Sequence, residues 1–245
     1  MGHRALFILF CLSGGVAHAG GFKAAQLHFP KVRDAYRRKE AKIEKIFEEK
    51  KISFPPQQIY LRAFKDEGKL EVWATNEGQY KQLTTFPICA VSGKPGPKRS
   101  QGDKQTPEGF YWIEQFNPSS SYHLSLKVSY PNAADKRLGQ RNPGGNIYIH
   151  GGCGTRGCLP LTNDKVEELY LIVMEARDQG QKKIPIDIFP TRLNSKTFRI
   201  LAKQYAGEEQ LVDFWKTLQK GYEYFEKYKT PIPVFVNAQG LYVLQ

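Results

Sequence analysis

The stretch Ile147-Tyr148-Ile149-His150-Gly151-Gly152-Cys153-Gly154-Thr155-Arg156-Gly157-Cys158-Leu159 is the centre from which we interpret the rest of this chain. It begins as an alternating apolar strand that ends at His150. Four glycines occupy the seven positions from Gly151 to Gly157, and Cys158 follows. Glycine adopts backbone angles that other residues avoid, so we expect this loop to fold back and bring imidazole and thiol together. An imidazole near a thiol can generate the thiolate, which is the nucleophilic form.

Residues 1–19 have the features of a secretory signal peptide, and we predict cleavage after Ala19. Arg4 supplies a positive n-region, residues 5–12 are apolar, and residues 17–19 provide small side chains at the cleavage site. The apolar run is too short to cross a bilayer, so no stable membrane span is expected. We therefore predict a periplasmic protein of about 226 residues, enough for one large domain. An uncleaved anchor is the alternative.

The chain is basic, with 36 Lys and Arg residues against 24 Asp and Glu residues and a formal net charge of +12. Loss of Arg4 with the signal peptide leaves +11. An exported basic protein suits an anionic polymer, such as a cell wall rich in free carboxylates, or a membrane surface. The alternative interpretation is that the charge only maintains solubility. Export argues against nucleic acid as a partner.

Three cysteines remain after the signal peptide is removed: Cys89, Cys153 and Cys158. An odd number in an oxidising compartment implies a free thiol or an intermolecular bridge, so we expect one cysteine to do chemistry. The other two either form a Cys89–Cys153 disulfide or remain buried thiols. A zinc site made of the three cysteines and His150 is a further alternative, although its spacing is uncommon. We expect no metal and no cofactor.

Hydrophobic periodicity predicts an α+β fold. The predicted elements are a helix over 30–52, strands over 59–64, 70–73, 83–91, 110–113, 122–130 and 147–150, a helix over 164–179, a strand over 184–189, helices over 194–205 and 208–228, and a hairpin over 234–243. Asp164 and Glu167 are expected to form a capping box. The apolar stripe of the helix over 208–228, which includes Trp215, is interpreted as core packing.

A His–Cys pair needs an oriented base, an ionisable thiol and donors for an oxyanion. No Asp or Asn stands close to His150 in sequence, so the Gly151 carbonyl is the candidate acceptor that orients the ring. A base or an electropositive loop is expected to lower the pKa of Cys158, with activity rising through roughly pH 6–8. The backbone N–H groups of Arg156, Gly157 and Cys158 are candidate oxyanion donors.

Three side chains are candidates for binding an anionic substrate. Arg156 lies in the glycine-rich loop itself, and Lys98 belongs to a Lys/Arg-rich loop that includes Lys94 and Lys104. His123 follows an apolar strand position, and its alternative is an outward-facing side chain without a role. The loop residue Thr155 is assigned with Arg156 to the oxyanion region.

Several motifs occur in one order along the chain, and together they resemble a known family. They are Ser92-Gly93, Thr106-Pro107-x-Gly109-x-Tyr111-x-Ile113, Ile149-His150-Gly151, Thr155-x-Gly157-Cys158-Leu159 and Ile186-Asp187-Ile188-Phe189-Pro190. This set resembles the L,D-transpeptidase (YkuD-type) catalytic domain over residues 58–190. The flanking helices, the extra Cys153, and the pairs Phe214-Trp215 and Gly221-Tyr222 are most similar to the YafK-like branch.

The resemblance implies a β-rich, sandwich-like catalytic domain over residues 58–190. A helical segment over 20–57 would precede it, and helices and a hairpin over 191–245 would pack on it. The implied chemistry is a cysteine acyl-enzyme, in which Cys158 attacks a diaminopimelate carbonyl of a peptidoglycan stem peptide and His150 acts as general base. Stem peptides are thus the implied partner, together with a wall-linked lipoprotein in some family members.

The chain departs from the family pattern at two positions. Arg156 stands where the family often has histidine, and Pro160 stands where it often has arginine. A missing arginine removes a bidentate carboxylate clamp, which Arg156 could replace from the other side. Because the YafK-like branch shares this departure and is associated with hydrolysis, we favour L,D-endopeptidase, carboxypeptidase or lipoprotein-releasing activity. The alternatives are an L,D-transpeptidase that forms 3,3-crosslinks or attaches lipoprotein, and a wall-binding module without catalysis.

Overall fold

The computed structural model describes residues 21–245, so the predicted signal peptide and the cleavage after Ala19 lie outside the described residues. No helix within 21–245 is long and apolar enough to cross a membrane. The elements are α1 (Gly21–Leu27), α2 (Pro30–Glu49), β1 (Gln58–Phe64), β2 (Lys69–Thr75), β3 (Lys81–Pro87), β4 (Gly109–Asn117), β5 (Ser125–Val128), α3 (Ala133–Leu138), β6 (Tyr148–Gly151), β7 (Leu159–Leu161), α4 (Asn163–Asp178), β8 (Ile184–Phe189), α5 (Ser195–Gln204), α6 (Glu209–Tyr228), β9 (Val234–Val236) and β10 (Tyr242–Leu244).

One mixed sheet of eight strands forms the centre of the fold, in the order β3-β2-β1-β8-β4-β5-β6-β7. The β1–β8 and β6–β7 pairs are parallel and the other pairs are antiparallel. The two ends of the sheet approach each other, because the Cys89 amide just after β3 donates to the Pro160 carbonyl of β7 at 2.8 Å. The sheet is therefore a near-barrel, which confirms the predicted β-rich, sandwich-like α+β architecture.

Helices cover this sheet on both faces. Along β1, Ile59, Leu61 and Ala63 belong to the core that contains α4, whereas Phe64 packs with the aromatic residues of α6. Helix α4 is buried along most of its length, because α2 covers the side that the sheet leaves open. On the other face, Trp215, Leu218, Tyr222 and Phe225 of α6 are buried, which confirms the prediction that this stripe is core.

Two predicted details are wrong, and three short elements were not predicted. Helix α4 is capped by Thr162, whose side chain accepts from the Lys165 amide, so Asp164 and Glu167 form no capping box. The strand predicted over 122–130 is limited to Ser125–Val128, because His123 has a left-handed φ of 69° that no strand accommodates. The helices α1 and α3 and the short strand β7 carry too few periodic residues to be predicted.

Candidate active site

The parallel pair β6–β7 places His150 and Cys158 on the same face of the sheet. Ile149 pairs with Leu159 and His150 pairs with Pro160. Cys158 directly precedes β7 and therefore lies beside Tyr148, two residues before His150. Side chains two residues apart on a strand point to the same side, so imidazole and thiol face one space. Both residues line the same groove.

His150 is buried, and its ring is oriented by the backbone of the next residue. Its Nδ1 lies 2.8 Å from the Gly151 carbonyl oxygen, which is the contact predicted for the base. Since a carbonyl only accepts, Nδ1 carries a proton and donates it to this oxygen. The ring of Tyr122 lies against the imidazole, with centroids 4.7 Å apart and planes at 38°. The carbonyl contact occupies Nδ1 and leaves Nε2 as the ring nitrogen available to exchange a proton.

Cys158 is the free cysteine of the described residues, and its thiol lies 3.6 Å from the Asn146 carbonyl oxygen, to which it donates. Burial raises the pKa of the Cys158 thiol above its ordinary value of 9.0, and the Tyr148 backbone N–H and the Lys98 charge oppose this only in part. The expected lowering of this pKa is therefore wrong, because burial penalises the thiolate more than the loop stabilises it. At neutral pH the group rests as a thiol and needs a base.

The other two cysteines form a disulfide, Cys89–Cys153, with Cα atoms 5.1 Å apart. This agrees with the first of the two states considered for them, and the alternative of two buried thiols is wrong. The bridge connects the end of β3 to the loop that carries Cys158. Zinc binds thiolates, and a disulfide offers none, so the proposed Cys3His site does not fit these residues.

The loop between Cys153 and Cys158 is held in shape by a side chain and by a glycine. Thr155 Oγ1 donates to the Cys158 carbonyl at 2.8 Å. Gly157 has a φ of 119°, and a Cβ there would lie 2.9 Å from the Gln105 carbonyl oxygen. Among residues 21–245, no backbone hydrogen bond of a turn or loop uses the N–H of Arg156, Gly157 or Cys158. These three amides are therefore free to act as oxyanion donors.

The segment 92–108, which supports Gly157, is fixed by a buried ion pair that the sequence does not indicate. Lys65 Nζ donates to Glu108 Oε1 at 2.8 Å and to the carbonyls of Lys94, Gly96 and Thr106. The other carboxylate oxygen of Glu108 accepts from Trp215 Nε1 of α6 at 2.7 Å. The motif around Pro107 indicated a turn in the sequence, but Lys65 and Trp215, which bind Glu108 beside it, lie far away along the chain.

Imidazole and thiol open into a groove of about 930 Å³. Apart from one aliphatic residue, Ile147, the groove is lined by polar, aromatic and glycine residues: Lys98, Gln101, Gly102, Asn117, Ser120, Ser121, Tyr122, Ser125, Gly144, Gly145, Asn146, Tyr148, His150, Gly154, Thr155, Arg156 and Cys158. None of these lining residues carries a carboxylate, whereas Lys98 and Arg156 carry positive charge. The groove is thus suited to a polar ligand with negative charge.

The structure places the three candidate substrate-binding residues differently. Arg156 is exposed at the groove, and no salt bridge of the described residues involves it. Lys98 lines the groove but is 4% exposed, and its charge is paired with Asp103. His123 does not line the groove; its Nε2 lies 2.7 Å from Glu167 Oε1 on α4. Arg156 is consequently the cation best placed to meet a ligand.

Comparison with known proteins agrees with this geometry. Residues 58–188 match the model of the YkuD family, described as the L,D-transpeptidase catalytic domain. Over 188 residues the chain is 35% identical to YafK of Escherichia coli (strain K12), which is provisionally named an L,D-transpeptidase; the match covers 76% of this chain and 73% of YafK.

Solved structures with a similar fold include two proteins from other bacteria. One is the helical cell shape determining protein Pgp2 from Campylobacter jejuni, at 19% identity and a TM-score of 0.45, covering 81% of this chain and 80% of Pgp2. The other is Bd1075 of Bdellovibrio bacteriovorus, at 25% identity and a TM-score of 0.41, covering 72% of this chain and 64% of Bd1075.

Proposed function

This chain belongs to the YkuD family of L,D-transpeptidase catalytic domains, and on that basis we propose that it is an exported cysteine enzyme of peptidoglycan remodelling. We further propose that it forms an acyl-enzyme on Cys158 and resolves it with water. The observation that carries this proposal is the groove in which the His150 imidazole, held through Nδ1, and the one free thiol of the described residues face the same space.

Acylation begins when His150 Nε2 takes the thiol proton. The Cys158 sulfur then attacks a diaminopimelate carbonyl of the stem peptide, and the carbonyl π electrons move to its oxygen. The free amides of Arg156, Gly157 and Cys158 receive that oxyanion. Collapse of the tetrahedral intermediate breaks the C–N bond, and the imidazolium returns its proton to the departing amine. The products of this step are a thioester on Cys158 and a free amine.

Deacylation uses the same base. His150 takes a proton from water, the hydroxide adds to the thioester carbonyl, and collapse expels the Cys158 thiolate, which regains the proton. The stem peptide leaves with a new carboxylate. Depending on the bond that is cut, this is L,D-carboxypeptidase or endopeptidase activity, or release of a wall-linked lipoprotein. The replacement of the family's frequent arginine by Pro160 is the feature that favours water over an amine acceptor.

Substrate recognition in this proposal rests on Arg156. Stem peptides carry free carboxylates, and a guanidinium binds a carboxylate in a bidentate manner. Lys98 is a buried residue of the groove lining, and its charge lies close enough to Cys158 to favour the thiolate in part. Export to the periplasm is supported by the Cys89–Cys153 disulfide, because such bonds persist mainly in oxidising compartments.

The proposal is tested with purified mature protein and defined muropeptides: tetrapeptides, 3,3-crosslinked dimers and lipoprotein-linked stems. The reaction is run in H₂¹⁸O, and products are separated by chromatography and weighed by mass spectrometry. Hydrolysis places one ¹⁸O atom in the new carboxylate, whereas transfer to an amine places none. We expect labelled, cleaved products and no activity for Cys158→Ala.

Two results would contradict the proposal in different ways. Net formation of unlabelled 3,3-dimers from tetrapeptides, without release from linked stems, would show a transpeptidase. No turnover of any substrate, together with a Cys158 that captures no acyl group, would support the binding module instead.

A further inference from the structure

The segment from Ser120 to His123 covers the catalytic base, although it lies outside the His150–Cys158 loop. Besides placing the Tyr122 ring on the imidazole, it supplies the Tyr122 carbonyl that accepts from the Gly151 amide at 3.0 Å. Gly151 in turn orients the imidazole through its own carbonyl. The position of Tyr122 therefore affects His150 by two routes, one through the ring and one through the backbone.

The contacts around Gly151 leave little freedom. A Cβ at this position would lie 2.5 Å from Asn163 Oδ1, 2.8 Å from the Tyr122 carbonyl oxygen and 3.0 Å from His123 Cβ. The Gly151 amide also donates to the Leu124 carbonyl at 3.2 Å. A displacement of the Tyr122 segment toward the sheet therefore moves Gly151, and a displacement away from it leaves the amide with only the longer of its two hydrogen bonds. The contacts that hold this segment therefore affect the orientation of the His150 ring.

Two contacts hold the segment, and both involve elements packed outside the groove. His123, in its left-handed conformation, places Nε2 2.7 Å from Glu167 Oε1, and Arg38 of α2 binds the same oxygen at 2.7 Å. Lys31, also on α2, donates to the Ser120 carbonyl at 3.1 Å and to the His123 carbonyl at 3.2 Å. The lysine thus binds both ends of the segment.

We propose that His123 and Lys31 are positioning residues, which hold the Tyr122 segment so that His150 keeps its orientation and its Nδ1–H tautomer. Lys31 lies on α2, outside the residues 58–188 that match the family model, so the base of this protein depends on a helix outside that catalytic unit. His123 was a candidate for substrate binding in the sequence; the geometry assigns it to the support of the base instead. The catalytic part of this inference rests on the proposed function.

The test uses four variants of the mature protein. His123→Leu removes the hydrogen bond to Glu167, and His123→Gln restores a donor of similar reach while bearing the same left-handed backbone. Lys31→Met removes both bonds to the segment but keeps the apolar stem. Lys45→Met is the matched control, because Lys45 is an exposed lysine of the same helix for which no salt bridge or side-chain hydrogen bond is found within 21–245.

The first measurement does not depend on any substrate. In protein labelled with ¹⁵N-histidine, long-range ¹H–¹⁵N correlation at about pH 8 reports which ring nitrogen carries the proton. His150→Gln assigns the signal. We expect one Nδ1–H tautomer for His150 in the parent and in Lys45→Met, a mixed signal in His123→Leu and Lys31→Met, and recovery in His123→Gln.

The second measurement is turnover of the stem peptide that the parent cleaves. We expect kcat to fall about tenfold in His123→Leu and about threefold in Lys31→Met, with KM changed by less than about twofold, since positioning affects the transition state more than binding. An unchanged His150 signal in both variants, or an equal loss in Lys45→Met, would overturn the inference. A parent that turns over nothing would instead contradict the proposed function, and the His150 signal would still decide the positioning role.

Discussion

At the scale of the residue, the central feature is the Cys158 thiol, which is less acidic than the nucleophilic role proposed for it would require. Its pKa is raised by burial, and the opposing contributions from the Tyr148 N–H and Lys98 are smaller. A thiol with a raised pKa is less readily oxidised, because oxidation begins from the thiolate. Under the proposed mechanism, Cys158 therefore depends on His150, whose Nε2 takes the thiol proton during attack.

The first prediction concerns the identity of the nucleophile. Cys158→Ala should abolish acyl capture and turnover, while the fold survives because the side chain is small and partly exposed. Trapping with substrate followed by peptide mapping should locate the acyl group on the peptide containing Cys158. An acyl group on any other residue would contradict the assignment, and circular dichroism of the variant checks that it is folded.

The second prediction concerns pH. Alkylation needs the thiolate, and a raised pKa means that the thiolate fraction is small until the pH exceeds the ordinary value of 9.0. The rate of reaction with iodoacetamide in the free enzyme should therefore still be rising above pH 9. The range of pH 6–8 expected from the sequence concerns turnover, in which His150 assists, and stays a separate prediction. A rate that levels off below pH 8 would show an acidic thiol, contrary to the burial seen here.

At the scale of the element, the loop 152–157 depends on two constraints of different kinds. Gly157 lets the chain pass within van der Waals distance of the Gln105 carbonyl, and the Cys89–Cys153 bridge ties the start of the loop to β3. The first constraint acts on the local backbone, whereas the second acts on chain entropy. They can be separated by mutation.

The third prediction is that Gly157→Ala displaces the oxyanion amides. An alanine would be strained at a φ of 119° and would meet the Gln105 carbonyl oxygen at 2.9 Å. We expect a loss of about 1–3 kcal/mol in the free energy of unfolding and a fall in kcat of about a hundredfold. Gly154→Ala is the matched control, since a Cβ there meets nothing within 4 Å. Equal effects in the two variants would contradict the role of Gly157.

The fourth prediction concerns the bridge. Its removal by Cys89→Ala with Cys153→Ala opens a connection between residues 64 positions apart. The free energy of unfolding in denaturant should fall by about 2–5 kcal/mol, as for other native disulfides. Turnover per folded molecule should fall less than in Gly157→Ala, because the backbone at Gly157 is unchanged. A double variant as stable as the parent would show that the bridge contributes nothing.

At the scale of the whole molecule, segments outside the family-matched residues are part of the same core. Helix α2 buries Val32, Ala35, Ile43 and Phe47 against the catalytic unit. Its lysines pair with buried carboxylates of α4, as Lys42 does with Glu168 at 2.5 Å. On the opposite face α6 contributes Trp215 to the Glu108 network. The division at residues 57 and 190 stays a prediction, but the contacts across it are extensive.

The fifth prediction is that a chain beginning at residue 58 does not fold alone. It would leave Glu175 of α4 without Lys23, and Glu168 would keep only Lys165 of its three lysine partners. It would also uncover the apolar surface that Val32, Ala35, Ile43 and Phe47 of α2 cover. Burial of each large apolar side chain contributes about 1.5–3 kcal/mol, against a total stability of about 5–15 kcal/mol for a typical protein. Circular dichroism and limited proteolysis should show an unfolded or aggregated fragment, whereas a chain beginning at residue 21 should unfold cooperatively. A stable, soluble fragment would contradict this.

Several features could be predicted from the sequence because their physical causes are local. Period-two and helical patterns located the strands β1, β2 and β8 and the helices α2, α5 and α6 to within a few residues. The order of His150, the glycines and Cys158 along the chain indicated the thiol–imidazole pair, the Gly151 acceptor and the family. These inferences need only the preferences of neighbouring residues.

Other features were decided by tertiary structure, because they join residues that are distant in sequence. Glu167 is too far from His123 for any local pattern to pair them, yet packing of α4 makes the histidine a bound residue rather than a free one. The same holds for Lys65 with Glu108 and for the choice of Cys89 as the partner of Cys153. The raised pKa of Cys158 follows from the walls of a groove, and burial is a property of the folded chain alone.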